Sequence, residues 1–319
     1  MPCASGFKFN TAGKFKIVQV TDTHIRTKKP EYSQTSVEML KKTLDAESPD
    51  LVIFTGDVVS DKPYKAGFDL IIEPVITRRI PFVILFGNHD EEQELTRAQM
   101  AELIHTYPFH AGNLRKVKNV KGYGNCILEI KDRQGKKNMA VLYCMDSHAY
   151  SPMKPAVDGY DWFSFDQVAW YRQKSAKYTA ANKGVPLPAL AFFHIPLPEY
   201  GAAATEKDAK LVGEQREKNH PAQINSGMFA AMLECGDVMG MFVGHDHAND
   251  YVYSHHGIAL AYGRFSGSKT TYTKGTENGV RVIELTEGER GFNTWIRLGS
   301  GAVIFSAKFP EDFLPAKDE

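Results

Sequence analysis

The chain has 319 residues, 38 Lys plus Arg against 38 Asp plus Glu, 43% hydrophobic and 11% aromatic residues. Zero formal charge with no basic run argues against a partner bound mainly through a phosphate backbone, so nucleic acid is disfavoured. The apolar content excludes a disordered chain, and no apolar stretch approaches the roughly 18 residues of a membrane span. No charged-then-apolar export segment opens the chain, although a trimmed one would look the same, so the compartment stays open, as does the oligomeric state. Four cysteines, Cys3, Cys126, Cys144 and Cys235, show no CxxC spacing. Neither a disulfide framework nor a thiolate zinc site is expected, and the last three read as small buried apolar residues.

In chain order, Lys16 to Val20 predicts a strand running into Thr21-Asp22-Thr23-His24, and a helix follows from Ser33 with Val37, Leu40 and Leu44 on one face. Leu51 to Phe54 predicts a strand that ends at Thr55-Gly56-Asp57. Phe82 to Phe86 predicts another, ending at Gly87-Asn88-His89-Asp90, with a helical stretch from Thr96 to His105. Asn125 to Ile130 and Met139 to Met145 read as paired strands around a polar turn at Asp132 to Lys136. A helix from Asp166 to about Ala181 would bury Val168, Tyr171 and Ala176. Ala189 to Phe193 then ends at His194, and Gly240 to Val243 at Gly244-His245-Asp246-His247. Ile258 to Tyr262, Val280 to Leu285 and Thr294 to Leu298 read as antiparallel strands. Alternating strands and helices predict an α/β fold whose site lies beyond the carboxyl ends of parallel strands. No linker separates the halves and both supply polar residues to the strand ends, so a single domain over 1–319 is expected.

The polar residues at those ends are Asp22, His24, Asp57, Asn88, His194, His245 and His247. Mixed nitrogen and oxygen donors without thiolates suit Mn, Fe, Zn or Co better than Ca. In an extended segment Asp22 and His24 would point the same way, as would His245 and His247. Singly, Gly56-Asp57 is an ordinary turn and His194 an ordinary core histidine. Their order and common placement at strand ends are what point to a metal site.

The blocks D-x-H (Asp22, His24), G-D (Asp57), G-N-H-D (Asn88, His89, Asp90), His194 and G-H-x-H (His245, His247) resemble, in that order, the hallmark of the calcineurin-like metallophosphoesterases. Gly122-Tyr123-Gly124-Asn125, Asp161-Trp162 and the segment from Phe193 to Tyr200 resemble the small purple-acid-phosphatase-like branch. One position departs: the tyrosine ligand of purple acid phosphatases is Ser60 here, so the purple colour is not expected. The resemblance implies a β-sandwich of mixed sheets flanked by helices, in α/β/β/α layers. It also implies two divalent metal ions (Mn, Fe or Zn). Asp22, His24 and His247 would bind the first, Asn88, His194 and His245 the second, with Asp57 bridging. The implied activity is hydrolysis of a phosphorylated small molecule or peptide, as a phosphomonoester, by in-line attack of a metal-bridging hydroxide. Phosphodiester hydrolysis, or a catalytically weak metal-dependent scaffold, are the alternatives. His89 is the candidate proton donor to the leaving group, and Asp90 either orients its imidazole or caps a helix. Arg264 could clamp a phosphate or make a surface salt bridge. Glu199 and His148 could line the pocket or pack a loop.

Overall fold

A computed structural model describes residues 6–204, 210–268 and 276–314; Cys3 lies outside them. In chain order the elements are β1 (Phe7–Lys8), β2 (Lys14–Val20), α1 (Pro30–Glu47), β3 (Leu51–Thr55), α2 (Tyr64–Thr77), β4 (Phe82–Leu85) and α3 (Arg97–Ile104). There follow β5 (Cys126–Lys131), β6 (Asn138–Cys144), α4 (Phe165–Ala181), β7 (Ala189–Phe192), β8 (Leu211–Val212), α5 (Met228–Cys235) and β9 (Val238–Val243). The last strands are β10 (Val252–His255), β11 (Ile258–Tyr262), β12 (Gly279–Thr286), β13 (Phe292–Leu298) and β14 (Val303–Phe309).

Among the described residues the strands form two mixed sheets. One has the order β14-β13-β12-β2-β3-β4 and the other β1-β5-β6-β7-β9-β11-β10-β8. Strand side chains alternate between faces, and that period sorts the core into three layers. Ile17, Leu51, Ile53, Leu142, Leu190 and Phe242 fill the space between the sheets. Their neighbours Val18, Val52 and Phe54 face outward against Leu40, Leu44, Phe68 and Met100 of the first three helices. On the far side, Tyr143, Ala191 and Met241 pack on Trp170, Tyr171, Met228 and Met232 of α4 and α5. Strands covered on both faces carry continuous apolar runs, which is why β3, β4, β7 and β9 are buried throughout. The result is the α/β/β/α layering expected of the chain.

Local signals place most helix ends. Pro30 stands at the start of α1, Thr96 and Gln99 form a capping box on α3, and Ser164 with Gln167 does the same on α4. Three expectations are corrected. Ala176 is exposed and Val168 half-buried, because the buried face of α4 is set by Trp170, Tyr171 and Ser175, with the Tyr171 hydroxyl bonded to the buried Asp237. Strand β11 is not purely antiparallel: it pairs parallel with β9 and antiparallel with β10. Cys235 is only half-buried, whereas Cys126 and Cys144 lie opposite each other, buried and free. Among the described residues no helix is long and apolar enough to cross a membrane.

Candidate metal centre

Parallel strands β2, β3 and β4 of one sheet and β7 and β9 of the other end at the same edge of the sandwich, and the loops after them carry the polar blocks. The loops are laced together by backbone bonds: Asp22 N–H to the Gly56 carbonyl (3.1 Å), His24 N–H to that of Asp57 (3.0 Å) and Gly244 N–H to that of His194 (3.1 Å). Asp22, His24, Asp57 and His245 all have left-handed backbones, with φ of 54°, 43°, 52° and 77°. Positive φ at non-glycine residues is sparsely populated and concentrates at functional sites. It also corrects the expectation that Asp22-x-His24 and His245-x-His247 are extended pairs. A tight turn, not a pleat, brings each pair together. Glycines precede these loops because the loops touch: a Cβ on Gly87 would overlap the Asp57 carboxylate, and one on Gly244 the Thr21 hydroxyl and Asp22.

Each aspartate spends one oxygen on the scaffold and turns the other inward. Asp22 Oδ2 accepts from the Thr21 hydroxyl (2.7 Å) and His245 N–H (3.0 Å), while its buried Oδ1 accepts no hydrogen bond and lies 3.2 Å from His247 Nε2 and 4.0 Å from His24 Nε2. Asp57 Oδ1 accepts from His89 N–H (2.9 Å), while Oδ2 lies 3.3 Å from His194 Nε2 and 3.8 Å from His24 Nε2. The histidines are held from behind in the same manner. His194 Nδ1 donates to the Thr55 carbonyl (2.7 Å), which forces its Nε2 lone pair inward. His24 Nδ1 pairs with the Ser60 hydroxyl at 2.6 Å, and the His247 ring stacks on Phe265 at 5.0 Å. Such outer contacts fix the tautomer and direction of a metal-binding imidazole. Ser60, at the place of the tyrosine ligand, therefore orients His24.

The inward atoms suit cations. His24 Nε2 and His247 Nε2 face each other at 3.1 Å, and His194 Nε2 lies 3.2 Å from Asn88 Oδ1 and 3.3 Å from Asp57 Oδ2. Without a cation, burial disfavours the His194 imidazolium but Asp57 outweighs it and raises the pKa to about 9, so a proton sits where a shared cation would replace it. Among the described residues three clusters of ligand atoms satisfy the spacing of a site, and two of them lie here, Asp22/His24/His247 and Asp22/Asp57/His194, while the third, Glu217/His220/Asp246, lies beside them in sequence at the last histidine block. His245 is in none of them; its ring packs on that of His194 at 5.2 Å. Burial, and then the charge of His247, pushes His24 down to about 4, and burial with His194 pushes His245 down to about 3. Burial would raise Asp22, but His247 and His194 overcome it and hold the carboxyl at about 2. Neutral imidazoles and ionised carboxylates are the forms that bind metal.

His89 stands at the rim, its ring 5.6 Å from that of His24 and its side chain 41% exposed. Burial lowers its pKa, but Asp57 and Glu92 outweigh that and raise it. Its partner is Glu92 Oε2, 2.8 Å from Nδ1, not Asp90. Asp90 is fully buried and accepts three backbone N–H groups, from Gly87 (2.7 Å), Asp57 (3.0 Å) and Val58 (3.0 Å). It ties the G-D and G-N-H-D loops together, and neither expected role, orienting His89 or capping a helix by its side chain, is what it performs. Glu92 Oε1 also accepts from the Tyr150 hydroxyl (2.6 Å), to which Asn88 Nδ2 donates (3.3 Å). Glu92 sits three residues after His89 on one helical turn, a spacing that could have revealed it. Nothing in the sequence marks Tyr150.

For the remaining residues the structure favours the packing alternatives over substrate contact, with the Arg264 ion pair buried and not on the surface. Arg264 is buried, its guanidinium taken by Asp250 and the Glu277 carbonyl, so it is not placed to clamp a phosphate. His148 is a buried loop residue paired with Gln167 (2.7 Å), and Glu199 accepts from Asn225 (2.7 Å); neither contacts the converging ligand atoms. A more consequential arginine is Arg97, which bonds the Gly87 carbonyl (2.9 Å), Asp146 (2.5 Å) and Glu91 (2.6 Å), and so holds the Asn88 loop from below.

Residues 15–249 match the family model described as calcineurin-like phosphoesterase. The chain is 31% identical over 90% of its length, and 79% of the other's, to a protein of Arabidopsis thaliana named probable inactive purple acid phosphatase 14. It is 32% identical over 92% of its length to Phosphatase DCR2 of Saccharomyces cerevisiae, of which it spans 55%. In fold it resembles a dimetal phosphatase from Danio rerio (TM-score 0.62, 11% identity, 92% of this chain and 98% of that one). It also resembles a purple acid phosphatase from yellow lupin (TM-score 0.55, 11% identity, 99% of this chain and 58% of that one).

Proposed function

Because the chain belongs to the calcineurin-like phosphoesterase family, we propose that it is a two-metal-dependent phosphoesterase acting on phosphomonoesters of small molecules or peptides, built as one domain over 1–319. Asp22, His24 and His247 hold one divalent cation (Mn, Fe or Zn) and Asn88, His194 and His245 the other, with Asp57 between them. When bound, such a pair acidifies a water and neutralises the oxygens of a phosphoryl group. The observation that supports the reading is the convergence of Asp22 Oδ1, Asp57 Oδ2 and the Nε2 atoms of His24, His194 and His247 in two overlapping buried clusters at ligand spacing.

His89 does the proton work. Asp57 and Glu92 favour its imidazolium, and it stands at the rim, where a leaving alkoxide emerges. Glu92 holds Nδ1, which leaves Nε2 as the atom that donates. Asp90 and Arg97 keep the loop that carries Asn88 and His89 in register with Asp57.

The engagement of Arg264 favours a second reading, phosphodiester hydrolysis, because a monoester dianion rewards extra cationic groups. The word "inactive" in the name of a relative supports a third, a metal-binding scaffold without turnover. One experiment separates them: hydrolysis of an aryl phosphomonoester and a bis-aryl phosphodiester by chelated, Mn-reconstituted and His89→Gln protein. Metal-rescued monoester turnover that collapses in the variant is expected. Turnover of the diester alone sinks the monoester preference, and no turnover in any form sinks catalysis.

A further inference from the structure

Tyr160 lies in the loop between β6 and α4, and neither the metal ligands nor the His89 network uses it. Its ring stands edge-on to His245, with centroids 4.4 Å apart at 89°, and stacks on Tyr150 at 5.8 Å and 23°. The backbone is pinned by a bridge to Tyr150 and by the Asp161 N–H to Ala149 carbonyl bond (3.0 Å). The ring is therefore positioned by two ring contacts and a pinned backbone, whereas the hydroxyl makes no hydrogen bond among the described residues. The neighbouring phenol of Tyr150 is occupied by Glu92 and Asn88.

A fixed phenol with an unused donor beside a ligand histidine is not explained by packing, which the ring alone would satisfy. Its location makes the donor usable. His89 flanks the ligand set at His24 and Tyr160 flanks it at His245, so the two stand at different ends of the pocket. Tyr160 also borders an open cleft of about 870 Å³ with Lys218, His220 and Gln223; none of the metal ligands lines that cleft, and it leaves the half-buried tyrosine open to solvent on that side.

We propose that Tyr160 is a substrate-contacting residue whose hydroxyl donates a hydrogen bond to a non-bridging phosphoryl oxygen held at the metal pair. This rests on the phosphoester reading of the pocket. The test is calorimetric titration of Mn-loaded wild-type and Tyr160→Phe protein with inorganic phosphate, beside Mn titrations and melting curves of both. Phenylalanine keeps the stacking and edge contacts and removes the donor. The expected result is roughly tenfold weaker phosphate binding, the scale of one hydrogen bond to a charged acceptor, with Mn affinity and melting temperature unchanged. An unchanged phosphate affinity overturns the proposal, as does a loss matched by an equal loss of Mn affinity. The titration needs no turnover. Tyrosine-dependent phosphate binding without hydrolysis would remove the enzyme and leave this contact standing, whereas hydrolysis with an indifferent Tyr160→Phe variant would do the reverse. No phosphate binding by the loaded wild type overturns both.

Discussion

Replacing Asp90 by Asn tests the correction on which the site's rigidity depends. The carboxylate is 0% exposed and accepts from Gly87, Asp57 and Val58 N–H at 2.7, 3.0 and 3.0 Å. Asparagine keeps one acceptor oxygen and turns an NH2 toward the others, so at least one buried N–H loses its partner, costing about 1–3 kcal/mol. The bonds that survive lose their charge assistance, about 1 kcal/mol each. The expected total is about 3–5 kcal/mol, which for a chain of 319 residues lowers the melting temperature by roughly 4–7 °C. Because two of the three donors flank ligand-bearing turns, Mn affinity should fall in parallel. Differential scanning calorimetry and Mn titration of the variant are the assays. A variant within about 0.5 kcal/mol of wild type, with intact Mn affinity and only a displaced pH–rate profile, would refute the reasoning and return Asp90 to the role of an imidazole partner.

Three further outcomes are expected. His89→Gln should lower kcat by about 10²- to 10⁴-fold, the scale of a lost general acid, whereas Glu92→Gln should cost no more than about fivefold, because the 41% and 43% exposure of the two side chains screens their pairing. Comparable losses in the two variants would contradict this. Gly87→Ala drives a Cβ into Asp57, so Mn should no longer raise the melting temperature, whereas in wild type a hundredfold excess over Kd should raise it by adding about 2.7 kcal/mol of stability; a metal response preserved in the variant counts against the close packing of the two loops. Far from the candidate metal centre, half-buried His110 has a buried, unpartnered Nε2, and burial, then His105, pushes its pKa down to about 3. Unfolded, it titrates near 6.5, so between about 6.5 and 3 the unfolded state binds the extra proton and stability falls as pH drops, by up to about 1.4 kcal/mol per pH unit. His110→Phe should flatten that limb in denaturant titrations from pH 7 to 4, and an unaltered acid limb would show that His110 is not responsible.

The order of the ligand blocks and the alternation of strands and helices were legible because both are written locally, whereas the α/β/β/α layering was implied by the family resemblance. Apolar runs such as LVIF and FVIL mark doubly covered strands, and the polar residues immediately after them must sit at the strand ends whatever the rest of the chain does. Asp22 to His247 could therefore be assembled from sequence before any distance was known. What a side chain does once there was not written locally. Arg264 and Arg97 are both arginines near the relevant strand ends, yet the first is consumed by Asp250 and the second supports Gly87. Asp90 and Glu92 are both acidic and within three residues of His89, and only the fold turned the nearer one toward backbone N–H groups and the farther one toward the imidazole.

The sequence by itself determined the donor types, their order and the sheet edge at which they gather, because strand period and strand length constrain direction over a few residues. The tertiary structure alone decided which oxygen of each aspartate faces inward, which carboxylate supports His89, and that Tyr160 packs edge-on to His245. Those outcomes depend on competition for hydrogen bonds among residues tens to hundreds of positions apart, such as Asp22 with His245 and Asn88 with Tyr150. Only closure of the two sheets brings those competitors within reach of one another.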